Sequence, residues 1–203
     1  MEVTIREEAG YEMALYGLSL SFKDRKIPYD DWWSCNNDRQ RKLVKTATAL
    51  CKKDGGHNKF LEAITVWIDL EAPRFFWSEF DTYRVGMTKQ SESTMHTVLK
   101  RYVEPEDFAK SSTGWGDTAI KVQCDLINNF LDISKDWDIK ERTREIKKIL
   151  PDGYLQRRLV VTNYKTLRNM ILQRRNHRLP EWQIFCHEIY NQVAHSELLP
   201  KVD

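Results

Sequence analysis

The sequence predicts a chain of mixed α and β structure, rich in helix, and three observations carry that expectation. Ile64, Val66, Ile68 and Leu70 alternate with Thr65, Trp67 and Asp69, the period of a strand with one apolar face. In several other stretches apolar residues recur three or four positions apart, the period of amphipathic helices. With 203 residues, 41% hydrophobic content and seven Trp, the chain suits one folded domain with a substantial core.

Taken in order, "YEMALYGLSLSF" is compatible with a strand followed by a turn or with a short helix. Asn36, Asn37 and Asp38 are all suited to cap the helix expected through "RQRKLVKTATALCKKD". Leu43, Ala47 and Leu50 form its stripe, and Gly55 and Gly56 end it. After the strand, Pro73 opens a helix through "PRFFWSEFDTYR", because proline in the first turn gives up no helical hydrogen bond. Phe76, Phe80 and Tyr83 form its packed face.

The interval "YVEPEDFAKSSTGWGD" is expected as a loop, and its Gly114 and Gly116 lack the full glycine pattern of a dinucleotide fingerprint. Ile120, Cys124, Ile127 and Leu131 then mark a helix from about Thr118. "KERTREIKKIL" gives another, stopped by Pro151, and a third is expected from near Gly153 toward Ile171. Pro180 begins a final helix that turns Trp182, Phe185, Ile189 and Val193 to the core.

Thirty-two Lys plus Arg against thirty Asp plus Glu leave a net charge of +2, which argues against a nucleic-acid or anionic-membrane partner. The basic runs Lys23 to Lys26, Arg39 to Lys45 and Arg174 to Arg178 read individually as solvated faces or helix ends. Four cysteines lie far apart with no close pair and no secretory leader before them, so a reducing, cytoplasmic setting is expected. No run of 18 apolar residues is present, so no membrane span is expected. The five histidines form no recognised metal motif, and Ser91, Ser93 and Thr94 come with no nucleophile elbow.

One stretch is not explained by packing alone. In "EAPRFFWSEFDTYRVGMTKQSESTMH" an aromatic half is followed by Tyr83, Arg84, Lys89, Gln90, Glu92, Thr94 and His96, a dense run of groups able to bind a ligand. Together with "ILPDGYLQRRLVVTNYKTLRNMILQRRNHRLPEWQI", this region resembles the flavin-dependent thymidylate synthase family. The family signature has the form Arg-His-Arg, two variable residues, Ser, a variable residue, Asn-Glu, a variable residue, Ser, a variable residue, Arg. Here Thr82 and Tyr83 take the first two positions, Arg84 matches the second arginine, and Met87 stands for the first serine. Lys89 and Gln90 replace Asn-Glu, and Glu92 and Thr94 replace the later Ser and Arg. In the second segment Leu150, Pro151, Asn163, Leu167, Asn169 and Arg174 match family positions, while Lys147 replaces an arginine.

The resemblance implies an α/β fold of the α+β type, a single compact domain over residues 1–203 with a central sheet and abundant helices, and assembly as a homotetramer. It also implies FAD as cofactor, a pyrimidine or nucleotide as substrate, and folate and nicotinamide as cosubstrates. On that basis Arg84, Tyr83, Asn163 and Asn169 are expected to bind the cofactor. Lys89, Gln90, Thr94, His96, Lys147 and Arg174 are expected to bind substrate, with Arg174 and Glu92 as catalytic groups and no metal. Glu92 and Thr94 remove a positive charge and add a negative one where the family holds the nucleotide phosphate. Altered substrate chemistry, by one-carbon transfer or reduction, is therefore expected, and the rival is a noncatalytic oligomeric ligand-binding or structural homologue.

Overall fold

The computed structural model describes residues 1–21 and 37–202, excluding the side chains of Asn37, Arg39, Met95 and His96. Cys35, the Lys23 to Lys26 run and the expected caps Asn36 and Asn37 lie outside the described residues and side chains. Four strands form one sheet in the order β1-β2-β4-β3: β1 is Glu2–Ala9, β2 Thr65–Pro73, β3 Thr88–Ser91 and β4 Leu155–Asn163. The helices among the described residues are α1 (Tyr11–Ser19), α2 (Asn37–Leu50), α3 (Arg74–Phe80), α4 (Thr94–Thr97), α5 (Gly114–Ile133), α6 (Ile139–Ile149), α7 (Tyr164–Arg174) and α8 (Pro180–Gln192). Among the described residues no helix is long and apolar enough to cross a membrane.

The chain divides into two compact units, one of residues 1–2, 70–83 and 89–159, the other of residues 3–69, 84–88 and 160–203. In the first unit, Phe76, Trp77 and Phe80 of α3 are buried and touch one another edge-on or tilted, with ring centres 5.2 to 6.0 Å apart. Its helical part closes over Val98, Val103, Phe108, Cys124, Ile127, Leu131 and Ile146. Thr113 starts α5 four residues before the stripe suggests, because its hydroxyl accepts the Gly116 N–H at 3.1 Å. Helix α5 has two apolar faces. Cys124, Ile127 and Leu131 are buried, whereas Trp115, Val122, Leu126 and Ile133 are exposed and lie within roughly 40° of one another around the axis.

In the second unit, Ile64, Val66 and Ile68 are fully buried, as their alternation predicts, and Leu43 and Ala47 of α2 are buried as well. Helix α1 packs on α2 and on the 3₁₀ turns of Gly55–Ala63, which settles "YEMALYG" as helix. Gly10 makes the bend from β1 into α1 at φ 92°, where a Cβ would stand 2.2 Å from the Ala63 carbonyl oxygen. Pro180 opens α8, and Trp182, Phe185 and Ile189 are fully buried.

One expectation is corrected, and two strands went unread. The helix read from Gly153 toward Ile171 is instead β4 followed by α7. In "LQRRLVVTN" the β-branched run alternates, burying Val160 and Thr162, and Asn163 turns the chain into a helix as its cap. Strand β1 went unread because only Val3 of "EVTIREEA" is buried among acidic neighbours. The polar run after Tyr83 contains a short strand, β3, four residues long.

Candidate functional site

The segment Arg84–Thr88 belongs to the second unit, and α7 and the end of β4 hold it in place. The Asn163 side chain accepts the Thr166 N–H at 3.0 Å and so caps α7. Thr162 donates its hydroxyl to the Gly86 carbonyl at 3.0 Å, and Thr166 donates to the Val85 carbonyl at 3.3 Å. Gly86 has φ 69°, and a Cβ there would lie 2.7 Å from the Thr166 Oγ1 and 2.8 Å from the Asn163 Nδ2. Glycine is therefore required twice over, by backbone conformation and by space. On this pinned loop Arg84 is exposed, and among the described residues its guanidinium makes no hydrogen bond or ion pair.

At the other end of α7, Arg174 is held flat. Its guanidinium carbon lies 4.7 Å from the centre of the Trp182 ring, and its Nη1 lies 2.9 Å from His177 Nε2. His177 is also placed by the Leu179 N–H, 3.2 Å from Nδ1, and by Gln183, which donates to its carbonyl at 2.7 Å. The two ring contacts compete for one tautomer. Nε2 accepts from Arg174 only when Nδ1 carries the proton, and Nδ1 accepts from Leu179 only when Nε2 carries it. Asn169 is exposed on the same helix, its amide oxygen 3.5 Å from Arg168 Nη1.

In the first unit the sequence-predicted residues fall around β3. Lys89 is committed internally: its ammonium lies 2.8 Å from Asp81, 3.4 Å from the Tyr83 carbonyl and 5.5 Å from the Phe80 ring centre. Asp81 also accepts from Arg158 at 3.1 Å, and Arg158 lies 4.2 Å over the Trp77 ring. Burial pushes the Asp81 carboxyl up, but the hydrogen bonds from Lys89 and Arg158 outweigh it and hold the group below the ordinary carboxylate range. Tyr83 sets its ring against Phe80 at 6.5 Å.

Glu92 is fixed through its backbone, which donates to the Arg157 carbonyl at 2.9 Å and accepts from Gln156 at 3.0 Å. Its exposed carboxylate receives the Arg157 N–H at 3.4 Å. Gln90 is exposed, Thr94 is half-buried in the first turn of α4, and the His96 side chain lies outside the described ones. Lys147 is exposed in the last turn of α6. Arg101, a nearby cation in sequence, is paired with Asp107.

The second unit thus brings Arg84, Asn163, Asn169 and Arg174 onto α7 and the loop beside it, and the first gathers Tyr83, Lys89, Gln90, Glu92 and Thr94 on and around β3. Sequence reasoning missed Gly86, Thr162 and Thr166, which hold the loop, and it missed Asp81 as the carboxylate that Lys89 shares with Arg158. Glycine between Val85 and Met87 was the one available signal for the first group.

Residues 18–198 match the family described as Thy1, thymidylate synthase complementing protein. This chain belongs to that family. The fold of this chain is shared with the flavin-dependent thymidylate synthase ThyX of Helicobacter pylori, solved in complex with FAD and dUMP. The TM-score is 0.76 and the identity 14%, over 100% of this chain and 99% of the other. A second Helicobacter pylori ThyX structure, also with FAD and dUMP, gives a TM-score of 0.75 and 13% identity over 97% and 95% of the two chains. No curated protein sequence matches the chain.

Proposed function

We propose that this family member is an FAD-dependent enzyme acting on a pyrimidine or nucleotide, by one-carbon transfer or reduction. The observation that supports it most is the state of Arg84. It is the one matched residue of the signature, and it is presented by a loop pinned to the capped start of α7 with its guanidinium uncommitted among the described residues. A flavin dinucleotide calls for such a group, since its pyrophosphate is met by guanidinium and N–H donors. The residues of the second unit fit that demand: Arg84 for the pyrophosphate, and Asn169 with Asn163 for polar contacts of the flavin. The flavin, when bound, supplies the electron and hydride chemistry.

Arg174 is assigned to the pyrimidine. Its plane, set by Trp182 and His177, suits a ring carbonyl on which charge develops. In the first unit, taken by itself, the charge pattern disfavours a phosphate at β3, because Lys89 and Arg158 share the single carboxylate of Asp81 and Glu92 offsets the one positive charge that remains. Glu92 is instead suited to a donor such as an amine or hydroxyl, with Gln90, Thr94, His96 and Lys147 as further substrate contacts.

FAD titration followed by fluorescence quenching tests the assignment. The expected outcome is saturable binding, with a spectrum that bleaches on reduction and returns on oxidation. Arg84→Gln is expected to weaken binding roughly tenfold or more, as loss of a charged hydrogen bond does. A folded protein that binds no FAD would move the assignment to a noncatalytic scaffold.

A further inference from the structure

The second unit contains a cavity of about 540 Å³ away from the residues assigned above, within the range of small-molecule sites. Its α7 wall is formed by Arg168, Leu172 and Arg175, which share one stripe of the helix while Asn169 and Arg174 fall to either side. Lys52 just beyond α2 and Lys201 near the end of the chain complete the basic lining. Glu197 is the one acidic residue among the described lining residues, and its carboxylate lies 3.6 Å from His195 Nδ1.

These cations are not all used up by the fold. Arg168 is 6% exposed and donates to Asp54 and to the Lys52 carbonyl, both at 3.2 Å. The Asp54 side chain is 89% exposed, so water screens the carboxylate while the guanidinium is buried. Arg175 gives one nitrogen to the Lys201 carbonyl at 2.7 Å. Among the described residues its other nitrogens and the Lys52 and Lys201 ammonium groups make no hydrogen bond or ion pair. Cations just past a helix C-terminus complement the dipole, which accounts for Lys52 and Arg175. It does not account for Lys201, or for a buried Arg168 opening onto the same hollow.

Leu198, Leu199 and Pro200 add an apolar wall and Tyr190 an aromatic ring, and Thr48 and Ser196 contribute hydroxyls able to donate to an anion. Positive charge focused in a concavity beside an apolar wall suits an amphipathic anion. We propose that this cavity binds a small organic anion, a carboxylate or a phosphate monoester carried on a compact apolar body. The proposal is distinct from the flavin assignment, since its stripe of α7 runs between Asn169 and Arg174 and uses neither.

Calorimetric titration of the full chain with phenyl phosphate and, separately, benzoate tests it and tells the two anion types apart. At least one probe is expected to bind saturably, one per chain, with a dissociation constant below about 1 mM. Inorganic phosphate should compete if phenyl phosphate is the one that binds. The double variant Lys52→Gln, Arg175→Gln is expected to weaken binding at least tenfold, and Arg84→Gln to leave it unchanged. If the double variant fails to fold, Lys52→Gln and Lys201→Gln, both at exposed positions, give the same reading. Absence of saturable binding by both probes overturns the proposal. So does binding that survives these substitutions, or that disappears in Arg84→Gln, which would place the probe in the flavin region.

Discussion

Lys89 and Arg158 direct their charges at the same carboxylate, and the three side chains are 18%, 15% and 47% exposed for Lys89, Arg158 and Asp81. Asp81→Asn would leave two largely covered cations facing a neutral amide, and a loss of about 1–2 kcal/mol is expected in urea unfolding near neutral pH. Because the Asp81 carboxyl is held low in the folded state, its contribution is present above the unfolded value of about 4 and lost as pH falls through the lower folded value. The variant should therefore lose less stability on acidification than the parent. Gly86→Ala forces a side chain into positive φ against Thr166 and Asn163, so a cost of about 1–3 kcal/mol, with weakened FAD binding, is expected from unfolding and titration. Arg84 and Arg174 stood out in the sequence because the family resemblance marked their positions. The commitment of Lys89 could not be read from the sequence, because only the fold sets its ammonium on Asp81 beside Arg158, 77 positions from Asp81 along the chain.

Asn163 shows how an element constrains the role of a residue. Its side-chain oxygen already accepts the cap bond of α7, so a ligand is left the amide nitrogen and one remaining lone pair. Asn163→Ser, which keeps a capping oxygen, should hold stability to within a few tenths of a kcal/mol, while Asn163→Ala should lose about 1 kcal/mol. Comparing FAD affinity in the two variants separates the cap from any contact with the cofactor. The same residue explains the misread segment before it. Helical spacing of apolar residues in α7 extends backward into "LVVTN" by coincidence, and only the cap marks where strand ends and helix begins. Strand β2 and helix α8 were legible because burial there follows the period without interruption and proline punctuates one end. Strand β1, with a single buried residue, carries almost no hydropathy signal.

For the molecule as a whole, the central sheet and the abundance of helix were implied by the family resemblance and are present. Assembly is a separate matter. The exposed stripe of Trp115, Val122, Leu126 and Ile133 on α5 exceeds what isolated surface apolar residues amount to. A homotetramer is proposed on the same grounds as the flavin, and light scattering is expected to give four times the 24.1 kDa of one chain. A mass of one chain at micromolar concentration would count against it. Trp115 itself is 80% exposed, whereas Trp77 and Trp182 are buried, so an indole emitting from water stands on a helix whose covering is in question. Its emission should shift toward the blue, and its accessibility to a soluble quencher such as iodide should fall, when anything settles on that face. Trp137 is also exposed, at 43%, so the difference between the parent and Trp115→Phe on dilution is the optical probe for contact at α5, read without any label.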